Sequence, residues 1–204
     1  MATMTLCALK DGGRKIQCSF EGSSFTLVDG VKLASIPVAN PQHSKDGFEV
    51  FESPQSDHSY VITVDVSRGA HHDFSAFSVV DVSAMPYKVV AIFKNNEIST
   101  LEFPHLIYNT ARQYNNAFVL IEVNDLGEEV ANIIWYEYEY ENLYFTEKNE
   151  LSQSRGHPGV RTTSKVKGLG CSVLKELIEK DQLILNSHKI IEELGLFVIH
   201  RKSY

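Results

Sequence analysis

The chain has 204 residues, of which 43% are hydrophobic, and this length and composition predict one globular domain with a substantial core. No apolar run approaches the roughly 18 residues needed to cross a bilayer, and no apolar secretion signal opens the chain, so we expect no membrane association and a cytoplasm-like compartment. The 3 cysteines are odd in number and lack paired spacing, which predicts neither a disulfide framework nor a zinc finger.

The charge distribution is more informative than the net charge of −7, which by itself disfavours a nucleic-acid partner. Residues 137–150 hold five Glu and one Lys, whereas residues 155–175 hold five Lys or Arg and no acid. Such segregation allows a basic surface and an acidic metal pocket on the same chain.

The first part of the chain, residues 1–55, is punctuated by Gly, Ser and Pro. It contains strand-like pieces at residues 16–20 and 24–28, and Asp29 with Gly30 forms a turn signal. We predict a connector or cover here, and a main domain over residues 56–204.

The main domain opens with an apolar run that ends in an acid, Asp65. Short turns join this run to two further β-rich runs, which predicts antiparallel hairpins. Helical spacing follows at Phe103, Ile107, Ala111 and Tyr114, with Pro104 in the first turn. The predicted strands are residues 60–66, 74–82, 87–93, 117–123 and 142–146, with a second helix after Gly127.

The C-terminal part is predicted to contain a polar loop and a third helix over residues 165–180, with an apolar face that includes Leu169 and Val173. Short strands are predicted at residues 183–185 and 196–199, around a helical turn near Lys189. The order of strands and helices requires crossover connections and predicts a mixed β-sheet flanked by helices, the ribonuclease H-like arrangement of the α/β class.

Two acids end strands that lie side by side in such a sheet, Asp65 and Glu122. Carboxylates on adjacent strands can share Mg²⁺ or Mn²⁺, and with substrate phosphate they suffice for a two-ion phosphodiester hydrolysis site. Taken alone, Asp65 is more typical of a solvated strand end than of a metal ligand. Asp73 fits either an outer metal ligand or a turn cap.

Other polar residues near these acids are less specific. His71 and His72 point in different directions, so an exposed turn is favoured over zinc. Asp125 is more typical of a helix cap than of a ligand, and Asn124 fits either the site or solvent. The basic residues suit phosphate contacts or a solvated face: Arg155, Arg161, Lys165, Lys167 and Lys175.

Four ordered motifs resemble the nuclease domain of the large terminase subunit of T4-like tailed bacteriophages. They are VITVDVSRG at 61–69, DFSAFSVVDV at 73–82, VLIEVNDLG at 119–127 and KGLGCSVLKELIEKDQLI at 167–184. The resemblance implies a ribonuclease H-like fold and a Mg²⁺- or Mn²⁺-dependent endonuclease that cuts concatemeric double-stranded DNA during viral genome packaging. Its two matching acids are Asp65 and Glu122.

The resemblance also implies partners: a terminase ATPase domain, the small terminase subunit and the portal, in the cytoplasm of the infected bacterial host. The family's third metal-binding acid has no counterpart before Tyr204, and its ATPase domain has none before residue 20. We therefore expect a fragment whose third ligand lies beyond Tyr204. The alternatives are a noncatalytic ribonuclease H-like docking module for a motor or portal, and a Holliday-junction resolvase.

Overall fold

The computed structural model describes residues 4–11, 14–20, 26–67, 73–146 and 156–197, the first two ranges by their backbone alone. The strands are β1 Met4–Asp11, β2 Arg14–Phe20, β3 His43–Lys45, β4 Phe48–Val50, β5 Tyr60–Asp65, β6 Ser75–Asp81, β7 Tyr87–Asn95, β8 Phe118–Ile121, β9 Phe145–Thr146, β10 His157–Pro158 and β11 Leu183–Ile184. The helices are α1 Gly30–Ser35, α2 Glu102–Gln113, α3 Gly127–Asn132, α4 Ser164–Glu179 and α5 His188–Leu196, and a π-helical turn Ile133–Glu137 follows α3.

A seven-stranded mixed sheet organises the fold, with strand order β3-β4-β7-β6-β5-β8 and β11 beside β7. Strands β5, β6 and β7 pair antiparallel, as the short turns predict. Strand β8 returns through α2 and pairs parallel with β5. The predicted mixed sheet flanked by helices is confirmed, including the adjacency of β5, which ends at Asp65, and β8, which ends one residue before Glu122.

Alternation along β5 explains how the sheet presents its first acid. Tyr60, Ile62 and Val64 are buried, whereas Thr63 and Asp65 are exposed on the other side of the strand. Because neighbouring side chains on a strand point to opposite faces, burying the first three fixes the direction of Asp65.

Two hydrophobic clusters pack against the sheet. The larger one joins β5, β6, β7 and β8 to α2 and α3, with Phe103 of α2 completely buried beside Phe77 and Phe93. The smaller cluster joins β7 to α1, α4 and α5 through Val89, Ile92 and residues of those helices. Val90 is the extra residue of a β-bulge, because Val79 and Val80 pair with Ala91 and Val89.

The N-terminal part contributes more to the fold than its turn-rich sequence predicts. The side chain of Asp29 accepts hydrogen bonds from the backbone N–H of Val31 and Lys32, so the predicted turn is the N-terminus of α1. Leu27 and Val28, predicted as the end of a strand, lie in a bend and are buried in the smaller cluster. The strand predicted at 16–20 lies within β2, and the boundary at residue 55 stays a prediction.

The C-terminal part differs from its predictions at three places. The predicted polar loop contains β10, which pairs with β9. The strand predicted at 196–199 is wrong at its first residue, since Leu196 ends α5, and residues 198 and 199 lie outside the described residues. On α4 only Ile178 is buried, whereas Leu169 and Val173 of the predicted apolar face are exposed. No helix within the described ranges is long and apolar enough to span a membrane.

Candidate metal centre

Asp65 and Glu122 lie at matching ends of two parallel neighbouring strands. The backbone register pairs Val64 with Ile121, so each acid follows the last paired residue of its strand. The backbone N–H of Glu122 donates to the carbonyl oxygen of Val64 at 2.9 Å. Asp65 is exposed and Glu122 is half-buried. The sheet therefore brings these two acids together, as their positions at strand ends predict.

The electrostatics of Asp65 reflect crowding by protein atoms and by other acids. Although its side chain reaches solvent, desolvation by the surrounding protein raises its pKa, and the negative charge of Glu122 raises it further. Asp73 adds a smaller effect in the same direction. A carboxylate whose pKa is raised by neighbouring negative charges is repelled by them, and a bound cation would relieve that repulsion.

Asp65 opens onto a cleft of about 460 Å³. Its lining includes Asp65, Asp73 and Asp125, so the structure brings all three acids to one cavity. Asp125 is not the N-cap of α3, because that position is Leu126, and Asp125 adopts a left-handed backbone conformation with φ of 56°.

Two cleft residues were missed by the sequence analysis, Lys94 and Glu193. The Lys94 ammonium pairs with the Glu193 carboxylate and lies 4.4 Å from the centre of the Phe74 ring. The register of the strands could have indicated Lys94. Ala76 of β6 pairs with Asp65 of β5 on one side and with Lys94 of β7 on the other. Glu193 gives no such signal because it comes from α5, 99 positions later.

Glu122 is also tied to the segment that carries the basic residues. Asn124 donates from its side-chain amide to Glu122 Oε1 at 2.8 Å and to the carbonyl oxygen of Thr162 at 3.2 Å. The N–H of Val160 donates to the Ile121 carbonyl at 2.8 Å. The stretch 160–162, including Arg161, therefore runs alongside the acid-bearing end of β8.

The other predicted basic residues are spread along α4. Lys165 and Lys167 are exposed in the first turn of α4, close in sequence to Thr162, whose carbonyl oxygen accepts a hydrogen bond from Asn124. Lys175 follows Ser164 by 11 positions, which is about 16 Å along the helix axis, and it forms an ion pair with Glu179 at 3.6 Å. Arg155, His71 and His72 lie outside the described residues.

The residues present fit a divalent cation in part. Carboxylate oxygens suit Mg²⁺ and Mn²⁺, and the mutual repulsion of Asp65 and Glu122 is what a cation would offset. Among the described residues, however, no group of three or more His, Cys, Asp or Glu side chains is arranged to hold a metal ion. The pair thus offers two protein ligands, and the remaining positions need water, phosphate or a further acid.

Comparison with known proteins finds solved structures with a similar fold and a matching protein family. The structure is similar to the large terminase nuclease from thermophilic phage G20c with bound magnesium, with a TM-score of 0.69, 19% identity and coverage of 89% of this chain and 85% of that chain. The same nuclease with bound cobalt gives a TM-score of 0.68, 21% identity and the same 89% and 85% coverage. The nuclease domain of the Thermus phage P74-26 large terminase gives 0.62 at 21% identity, covering 84% and 79%. The family described as the Terminase RNaseH-like domain matches residues 62–201, and the chain belongs to that family.

Proposed function

We propose that this chain is the nuclease domain of a DNA-packaging terminase and cuts concatemeric double-stranded DNA by metal-dependent phosphodiester hydrolysis. The observation that carries the proposal is the placement of Asp65 and Glu122 at matching ends of adjacent parallel strands, with Asp65 lining a cleft. Membership of the terminase ribonuclease H-like family supports it.

In this proposal Asp65 and Glu122 are metal ligands, and Asp73 has an outer-ligand role at the cleft. Bound Mg²⁺ or Mn²⁺, as a pair of ions, would supply an activated water and stabilise the leaving oxygen. By the resemblance, a third carboxylate would complete the ion site.

The proposed DNA-binding surface runs from Arg161 into the first turns of α4. Arg161, Lys165 and Lys167 are exposed and follow the stretch that lies against β8. A duplex bound there through its phosphates would meet the acidic cleft. Lys175 is a weaker candidate because Glu179 neutralises it, and Arg155 remains a candidate from sequence alone.

The biological setting that we propose follows from the family. The domain would act with a terminase ATPase domain, the small terminase subunit and the portal, in the cytoplasm of an infected bacterium. These partners explain how a chain with a net charge of −7 meets DNA, since a motor would deliver the duplex to the cleft.

The proposal is tested by plasmid cleavage with Mn²⁺, using the 204-residue chain and a chain extended to include the third acid that the resemblance implies. We expect cutting by the extended chain and its loss in Asp65→Asn and Glu122→Gln. Asp57→Asn is the matched control, because Asp57 is exposed and precedes the opposite end of β5. Undiminished cutting by either acid variant would refute the assignment of that acid.

The same assay separates the alternatives. A docking module would not cut even when the chain is extended, and a junction resolvase would cut four-way junctions in preference to linear duplex.

The DNA surface is tested by the salt dependence of binding. Each phosphate contact contributes about 0.9 to the slope of log K against log salt, so Lys165→Glu with Lys167→Glu should reduce the slope by about 1.8. Lys45→Glu is the control, since Lys45 is exposed on the edge strand β3. An unchanged slope in the double variant would show that neither lysine contacts the DNA phosphates.

A further inference from the structure

We propose that Asn124 is a positioning residue that fixes the Glu122 carboxylate for metal binding and docks the Arg161 segment beside it. This inference rests on the proposed metal site. It assigns a role to a side chain that could equally have pointed to solvent, and it explains how one side chain couples the metal ligand to the proposed DNA-binding surface.

The chemistry of the two partners determines which end of the Asn124 amide faces them. Glu122 Oε1 and the Thr162 carbonyl oxygen are both acceptors, at 2.8 Å and 3.2 Å. Only the NH₂ group, with its two N–H donors, can satisfy both at once. The bond to Glu122 is charge-assisted, and it occupies one carboxylate oxygen, leaving the other for a cation.

A half-buried carboxylate with free rotation would turn away from its like-charged neighbour Asp65. The Asn124 bond opposes that rotation, because swinging Glu122 away would leave the amide without its charged acceptor. Partners of this kind fix the orientation of ligating carboxylates, and their removal typically lowers metal affinity or activity about 10- to 100-fold.

The second bond of Asn124 acts on the backbone of the basic segment. Val123 and Val160 already join the two stretches, since the N–H of Val123 donates to the Val160 carbonyl at 2.9 Å. The bond from Asn124 to the Thr162 carbonyl extends this pairing towards α4. The next residue, Thr163, is the N-cap of that helix. Asn124 thereby sets where Arg161 and the start of α4 lie relative to Glu122.

The first test measures Mn²⁺ binding by titration calorimetry on folded protein without DNA, so the readout does not depend on cleavage. We expect Asn124→Ala and the similarly sized Asn124→Leu to weaken Mn²⁺ binding about 10-fold or more. Asn142→Ala is the matched control, because the Asn142 amide also donates to a backbone carbonyl, that of Asn116, at 2.6 Å. Affinity equal to the wild type in both Asn124 variants would overturn the proposal.

The second test measures hydrogen exchange at the Val123 and Val160 amides. Both should exchange faster in Asn124→Leu than in wild type, and unchanged rates would overturn the docking part of the proposal. A purely structural tie would speed exchange without changing Mn²⁺ affinity, which also contradicts the positioning role. If wild type and Asp65→Asn bind Mn²⁺ equally, the metal site itself fails, and that outcome is distinct from a failure of Asn124 alone.

Discussion

Gly127 is the position where one methyl group should damage the site most. It is the first residue of α3 and is buried against the end of β8. A Cβ at this position would lie 1.8 Å from the carbonyl oxygen and 2.9 Å from the carbonyl carbon of Glu122. Both contacts are with backbone atoms, which cannot rotate away. Gly127→Ala therefore requires α3 and the Glu122 backbone to separate.

The size of that separation determines the cost. Ordinary van der Waals contact begins at 3.4 Å, so the backbones must move apart by about 1.6 Å. Overpacking of a core typically costs 1–3 kcal/mol, and a clash with backbone belongs at the upper end, so we expect a loss of about 3 kcal/mol. For a chain of this length, each kcal/mol lowers Tm by about 2–4 °C, which gives about 6–12 °C.

Two other glycines supply controls for thermal unfolding followed by circular dichroism. Gly30 is also the first residue of a helix, and Gly168 lies within α4, and a Cβ at either position would meet no atom within 4 Å. Gly168→Ala should stabilise by about 1 kcal/mol through helix propensity, and Gly30→Ala should change stability by less than about 1 kcal/mol. If Gly127→Ala lowers Tm no more than Gly30→Ala does, the reasoning is wrong.

Three further predictions concern the core, the pH dependence and the metal. Burial raises the pKa of Asp81, but hydrogen bonds from Ser83 and His58 bring it below its ordinary value of 3.8. The stabilisation by Asp81 should therefore be complete above that value and be lost as the pH falls below it. Asp81→Asn should make the free energy of unfolding less dependent on pH in this acidic range. Phe103→Ala, at a fully buried ring, should cost about 3–5 kcal/mol in urea unfolding. Mn²⁺ at about 100 times its Kd should raise the free energy of unfolding by about 2.7 kcal/mol, and neither EDTA-treated protein nor Asp65→Asn should show this gain.

The sequence predicts the sheet well because strand order constrains topology. Three runs with short turns must pair antiparallel, and a run that follows a helix must return parallel, so β8 had to lie beside β5 or at another free edge. The pattern of buried residues along a strand then determines which face each side chain occupies. Alternation in β5 sends Asp65 to the exposed side whatever the rest of the chain does. The acid pair follows once β8 is placed beside β5, as in the predicted ribonuclease H-like arrangement.

The remaining features depend on where loops and distant segments run, which periodicity does not report. The pairing of Asn124 with Thr162 spans 38 positions, and that of Lys94 with Glu193 spans 99. Asp29 carries a different ambiguity, since an Asp before a Gly is favourable both in a turn and as a helix cap. Packing of Leu33 into the smaller cluster selects the helix, and no local signal contains that contact.

The short stretch from Glu122 to Gly127 constrains the position of one member of the acid pair. The backbone of Glu122 is bonded to Val64, its side chain is held by Asn124, and its carbonyl lies so close to Gly127 that only glycine fits there. The first constraint comes from β5 and the other two from the residues that follow Glu122. A less constrained pair would splay apart and lower its repulsion before any ion arrived, and the ion would then have to draw it together. Holding Glu122 against Asp65 moves that cost from metal binding to folding, where the burial of β5 and β8 offsets it.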